Sequence, residues 1–444
     1  MVLYHKADLP QKAKVQHHME DAIISEVKDR VKRFSKKIGK EKSLPGKRFI
    51  SEMLFGILGS GDTKLTSIGR VLKEPIAIQQ TVKRLSRNLA DIDITNEVNR
   101  TMVSERMSSL EPEAIIAIDG SDIRKPYAES MEHLYDIHDG SRHERGKGYL
   151  MFCMASVGKE TVKPLYGEMY STTAPEYRSS YDITTRGLDM LVEQNKERNQ
   201  LTIVADRGYD DEKLYRYYQD KGLRFITRIR RDRNFMLSGS QINRKVDTLY
   251  GYTKSRKMQG EVIHEGRVKE VQLSVAMVRG RISNLSTEYT VIVIKSRLFQ
   301  EPMYLMTNIR VENHQSAYRV YAKYLKRWGI ETMYRLMKEK FNLEDMRVLR
   351  YKRMRNLFSL MMGSLYLVSK IVYTVGNKTD FLQKQLIRKA KRLRKDGTFL
   401  YYSIIDGLKQ LVARLDKKLI FFEHVYWSPP AYSLFAKIRE PKNG

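Results

Sequence analysis

Apolar residues change their rhythm along this chain, first near residue 110 and again after 310. Up to Leu110 they recur at helical spacing. Residues 1–43 are charge-rich and mostly helical in pattern, with the cationic run KDRVKRFSKKIGKEK; helices ISEMLFGILG, LTSIGRVL and IAIQQTVKRLSRNLADI follow, separated by GSGDTK and KEP. A short helix, a turn and a longer helix carrying Lys83, Arg84 and Arg87 fits helix-turn-helix docking in a DNA major groove. Three small helices packed on one another would give the same pattern, and the sequence leaves both readings open.

From Ala114 the rhythm becomes that of strands. AIIAIDGSDIRK is an apolar run that stops at Asp119-Gly120-Ser121-Asp122. A polar loop, SMEHLYDIHDGSRHERGK, leads to two more strands, GYLMFCMASVG and VKPLYGEMYS, and a helix spans about 179–198. A fourth strand, LTIVADRGYDD, ends at Asp206; the helix EKLYRYYQDKG and a fifth strand, LRFITRIRR, complete the series. Three strands, helix, strand, helix, strand is the order of a ribonuclease-H-like α/β core with a mixed sheet. There the first and fourth strands lie side by side, which brings Asp119 and Asp206 together.

Residues 231–306 are strand-rich, with EVIHEGRVKEVQLSVAMV and EYTVIVIKS alternating most clearly. They read as a β-rich insertion before the helix YLKRWGIETMYRLMK, Tyr324 to Lys338. At about 100° per residue, Tyr324, Arg327, Glu331 and Lys338 fall within roughly 60° of one helix face. Beyond Lys338 the chain is helical again. RYKRMRNLFSLMMGSLYLVSKIVYTV reads as core, and LIRKAKRLRK, near 386–395, as a cationic helix that is either a solvated face or a phosphate track. The expected organisation is a helical region at 1–110, an α/β core at 111–345 and a C-terminal helical region at 346–444, suited to dimerisation or DNA contact.

Composition adds a partner. With 81 Lys and Arg against 52 Asp and Glu, a formal net charge of +29 and a pI near 9.8 call for a polyanion, nucleic acid before an anionic membrane surface. No uninterrupted apolar run reaches membrane-spanning length and the N-terminus does not resemble a signal peptide, so a soluble, unexported, cytoplasmic protein is expected. The single cysteine, Cys153, excludes an intramolecular disulfide, suits a reducing compartment and reads as a buried strand residue.

Three carboxylates from separate elements are hard oxygen ligands for Mg²⁺ or Mn²⁺. Two such ions about 4 Å apart serve phosphodiester chemistry, with Arg327 as a bidentate phosphate fork, Lys338 as a point charge and Tyr324 as a hydrogen-bond donor. His133, His138 and His143, five residues apart, fit no common metal pattern. Asp122 is an alternative ligand, more readily read as capping a turn or pairing with a cation. No Walker-type loop is present, so no nucleotide cofactor is expected.

Tyr324, Arg327, Glu331 and Lys338, spaced Y-x₂-R-x₃-E-x₆-K, resemble the YREK signature of DDE transposases of the insertion-sequence four family. Trp328 completes that family's RW-x-IE variant, and IIAIDGSDI and IVADRGY resemble its two aspartate strands. The resemblance spans roughly 110–345 and implies that 111–345 is the catalytic core; the helices at 1–110 resemble the family's DNA-end-binding region more loosely. It implies that Asp119, Asp206 and Glu331 are a catalytic triad binding two Mg²⁺, that Tyr324, Arg327 and Lys338 touch terminal DNA phosphates, and that Arg228 and Trp328 are further DNA contacts. It also implies a bacterial or archaeal, nucleoid-associated enzyme acting as a homodimer on terminal inverted repeats and target DNA, by cut-and-paste through a hairpin. In that route a 3′ hydroxyl closes the hairpin, water opens it, and the freed end attacks the target. The sequence departs from a studied relative at one point: where that protein has a Trp ahead of this helix, EPMYLMTNI offers Met303 and Tyr304. A structure-selective nuclease on the same core, and a catalytically inactive DNA-binding regulator, are the alternatives.

Overall fold

In the computed structural model the residues described are 11–139, 144–196, 200–264, 266–282, 284–373, 377–390 and 397–414. Five helices come first: α1 (Gln11–Ile38), α2 (Leu44–Ser60), α3 (Leu65–Leu72), α4 (Ile78–Asp91) and α5 (Thr95–Met107). Strands β1 (Ile115–Arg124), β2 (Tyr135–Asp139), β3 (Glu144–Val157) and β4 (Val162–Tyr170) follow. Next are α6 (Ser180–Gln194), β5 (Thr202–Ala205), α7 (Glu212–Asp220) and β6 (Arg224–Arg228). A strand-rich stretch holds β7 (Asn234–Leu237), β8 (Asn243–Lys245), β9 (Arg256–His264), β10 (Arg267–Arg281), β11 (Tyr289–Lys295) and β12 (Met303–Thr307). The described residues end with α8 (His314–Leu325), α9 (Trp328–Lys340), α10 (Tyr351–Tyr373), α11 (Asn377–Lys389) and α12 (Gly397–Ala413).

Among the described residues all twelve strands belong to one sheet, ordered β2-β3-β1-β5-β6-β12-β11-β10-β7-β8, with β4 also on β3 and β9 also on β10. β1, β5 and β6 are parallel neighbours, the arrangement that crossover helices α6 and α7 allow. The stretch read as an insertion continues this sheet, because β12 pairs antiparallel with β6. Its first residues are anchored by buried Asp210, which accepts hydrogen bonds from the Arg230 amide at 2.8 Å and the Tyr215 hydroxyl at 2.7 Å and pairs with Arg233 at 2.6 Å.

Three local expectations are corrected. The loop between the first two strands contains β2, an edge strand whose alternation is masked by its polar outward residues; Ile137 is buried while Asp136 is exposed. β1 does not stop at Asp119 but runs on to Arg124, since the long β3 keeps pairing with it from Asp119↔Cys153 to Arg124↔Gly148. The helix expected from Tyr324 to Lys338 is two helices. At the junction Arg327 N–H donates to Tyr324 O and Ile330 N–H to Arg327 O, tight i→i+3 bonds that break the α-helical ladder.

Strict alternation along β1 feeds two cores. Ile115 and Ala117 join the one that holds α8, α9 and α10; Ile116 and Ile118 join the one under α6 and α7. The first core also takes in residues of α1, α2, α4 and α5, so the helices before the sheet and those after α9 pack together. α10 is long and apolar enough to cross a membrane, yet 89% of its apolar window is buried within the protein. Its Asn356 is satisfied inside that core: the amide donates to Leu89 O at 2.9 Å and Ile92 O at 2.7 Å, which ties α10 to the end of α4. Asn99 of α5 in turn exchanges two 3.0 Å hydrogen bonds with the backbone of Gly167 in β4.

Candidate active site

The parallel register Ile118↔Ala205 sets Asp119 beside Asp206, one step past the end of β5. The chain turns sharply there: Asp206 caps a 3₁₀ turn over Arg207–Tyr209 and accepts from the Gly208 amide at 2.8 Å. Asp119 accepts from the Gly120 amide at 2.9 Å. Its alternation with Ala117 directs it toward α8 and α9.

α9 lies across this end of the sheet. Gly329 lets it come close, since a Cβ there would sit 3.1 Å from Val157 of β3. Tyr334, buried on its underside, donates to the backbone carbonyl of Asp119 itself at 2.6 Å. Glu331 is one turn earlier, so the same contact that fixes the helix also sets the height of the Glu331 carboxylate over β1. Sequence reasoning missed Tyr334; its place three residues after Glu331 was the available signal.

Arg327 joins the carboxylates. One guanidinium nitrogen donates to Asp119 Oδ2 at 3.3 Å and another to Glu331 Oε1 at 2.7 Å, with only 12% of the side chain exposed. Burial opposes its charge, but Tyr324, Asp119 and Glu331 outweigh burial and hold its pKa above the ordinary arginine value. Asp119 is pushed up to about 7, chiefly by burial, with Asp206 and Glu331 adding to the rise and Arg327 opposing it. Among the described residues no three His, Cys, Asp or Glu side chains gather as a metal-holding cluster. Asp119 and Glu331 are joined only through Arg327, and Asp206 follows the strand beside Asp119; carboxylate oxygens are the ligand type a hard divalent cation takes.

The other expected residues fall into three groups. Tyr324, buried, has its ring 6.0 Å from the Arg327 guanidinium carbon. Together with Arg228, Trp328 and Arg327 it lines a cavity of about 430 Å³ beside the carboxylates. Arg207 and Phe299, which the sequence reading passed over, line it too. Met303 faces this cavity whereas Tyr304 is buried away from it. Lys338 lies further along β1, 3.7 Å from Asp122, three residues past Asp119, and 3.1 Å from Glu344.

Lys83, Arg84 and Arg87 of α4 are remote in the fold from these groups and differ among themselves. Lys83 and Arg87 are exposed, but Arg84 pairs with Glu52 at 2.7 Å and Glu74 at 2.8 Å, carboxylates it shares with Arg48. Cys153 is buried in β3 and burial drives its thiol pKa up, so it is chemically quiet. Of the histidines, His133 packs edge-on against Tyr351, the side chain of His138 is not described, and His143 lies outside the described residues, as do residues 391–395 of the C-terminal cationic tract.

The model of one protein family, described as the transposase DDE domain, matches residues 111–367, more than half of the chain and all of the strands. No curated protein matches it.

Proposed function

Since the chain belongs to the transposase DDE-domain family, we propose that it cuts and joins DNA at the ends of an insertion sequence, with Asp119, Asp206 and Glu331 as its catalytic carboxylates. The observation that carries this reading is the meeting of two aspartates on neighbouring parallel strands, Asp119 within β1 and Asp206 just past β5, with a helix whose glutamate reaches Asp119 through Arg327. The YREK spacing supports placement in the insertion-sequence four family, a ribonuclease-H-like core, and a homodimer that bridges two terminal inverted repeats.

Mg²⁺ or Mn²⁺ held by the three carboxylates would activate water or a 3′ hydroxyl and stabilise the leaving oxygen. The chain's own residues do the rest. Asp119 must give up the proton that burial favours near pH 7 before it can serve as a ligand. Arg327 presents a planar fork to a phosphate at the mouth of the 430 Å³ cavity, and Arg207 and Arg228 add positive charge from the strand ends beneath. The Tyr324 hydroxyl and Trp328 ring shape the same cavity. Lys338, about two turns further along α9, meets the adjoining phosphate as a point charge. For the hairpin route, Phe299 and Met303 offer the apolar surface against which a displaced base would rest.

The test is cleavage of DNA carrying the element's own ends in Mg²⁺, wild type beside Glu331→Gln, on a denaturing gel. Cuts at the element boundary by wild type alone, with a slowly migrating hairpin band, support the whole scheme. Equal cleavage by the variant would remove Glu331 from the site, and binding without cleavage by either protein would favour a DNA-binding regulator.

A further inference from the structure

Arg327 occupies the oxygen atoms that a divalent ion needs. Its two hydrogen bonds go to Asp119 Oδ2 and Glu331 Oε1, so one guanidinium neutralises part of a three-carboxylate site. A divalent ion on these carboxylates would sit close to the guanidinium charge, so the ion and the fork compete for them. The same side chain also lines the arginine-rich cavity next door, where the one carboxylate, Glu301, is already paired with Arg231. There a phosphate would meet three guanidinium groups with no acidic competitor left unpaired. Arg327 therefore stands between two anionic partners, one built into the protein and one supplied by DNA. It stands at a break between two helices, where the backbone is not locked into a continuous α-helical ladder.

We infer that Arg327 is an exchangeable internal cation: without DNA it holds Asp119 and Glu331, and a DNA phosphate draws it away, opening the carboxylates to the divalent ion. This rests on the reading of Asp119 and Glu331 as metal ligands and adds regulation of that site. Metal binding and DNA-end binding then reinforce each other, and by linkage each raises the affinity of the other by the same factor. Cleavage-competent metal would load where an end is present and stay off elsewhere.

Mn²⁺ alone, titrated into the full-length protein and followed by electron paramagnetic resonance, tests this without any turnover. Arg327→Gln is expected to bind Mn²⁺ about tenfold more tightly than wild type in the absence of DNA, a coupling of ordinary allosteric size. Adding a duplex that carries the element's end should tighten Mn²⁺ binding about tenfold in wild type and less than twofold in the variant. Equal or weaker Mn²⁺ binding by Arg327→Gln overturns the inference. Should that variant fail to fold, Arg327→Lys, which keeps the charge but cannot fork, carries the same comparison with a smaller gain expected. Glu331→Gln separates the two levels: if it leaves Mn²⁺ binding unchanged in both backgrounds, the ligand assignment itself is wrong.

Discussion

Two arginines, one on α4 and one between α8 and α9, look alike in sequence and differ in what holds them. Arg84 lies among Glu52 and Glu74, both at most 10% exposed in their side chains, and those carboxylates belong to the walls between α2, the α3–α4 turn and α4. Its pairs hold three helices together. Arg327 bridges two carboxylates on separate elements that have no other cation within ion-pair distance among the described residues. Its pairs hold charge in place over the end of a sheet. A cation on an amphipathic helix becomes a structural pin or a ligand-handling group according to whether its acidic partners have other work to do.

The sharpest way to break that comparison is to remove each arginine in turn. Arg327→Ala is expected to lower end cleavage by about a hundredfold or more, in line with loss of a bidentate phosphate contact in a transition state. Its unfolding midpoint should fall in metal-free buffer and recover when Mg²⁺ replaces the lost charge. Arg84→Ala is expected to cost about 2–3 kcal/mol in denaturant unfolding, the lower end for leaving a buried carboxylate short of a partner, because Arg48 remains. Mg²⁺ should not restore it. If Arg84→Ala instead lost DNA binding at full stability, the contrast would collapse.

A smaller effect concerns pH. The folded value of about 7 for Asp119 lies above its ordinary 3.8, so the fold favours the protonated acid. Its contribution to stability is complete below that ordinary value and is lost as pH rises through about 7. Metal-free wild type should therefore lose stability across that window relative to Asp119→Asn, as read by thermal unfolding. The smallest effects belong to Lys83 and Arg87, both exposed on α4. Changing each to Ala should leave stability within about 0.5 kcal/mol. If they touch phosphate, each should lower the salt slope of DNA binding by about 1; if they read bases, specificity should change instead.

Much of this was legible from residue patterns because it depends on local rules. Asp119 and Asp206 ended apolar runs whose order called for parallel neighbours, and the structure pairs them so. The 100° step placed Arg327 and Glu331 within reach, and they do form a pair. What stayed hidden depends on contacts distant in sequence. In YLKRWGIE only Gly329 weakens a helix, and a lone glycine does not fix a 3₁₀ junction; its close packing on Val157 is a tertiary fact. β2 was missed because an edge strand needs only one buried residue in two. Arg84 was grouped with Lys83 and Arg87 because Glu52, 32 positions earlier, gives no sign in sequence of facing it.

Asn356 and the helix that carries it have a further consequence, for how the polypeptide can be divided. The span matched to the transposase family starts at residue 111 and ends within α10, so it includes most of that helix but none of α1, α2, α4 or α5, which cover it. A gene fragment encoding only that span would retain every carboxylate of the site. It would also present an uncovered helix as apolar as a membrane span, with an amide group whose acceptors had been deleted. Truncated copies of this gene are thus expected to yield aggregating polypeptides rather than small autonomous nucleases, and the first hundred residues are a condition for the chemistry whether or not they ever touch DNA.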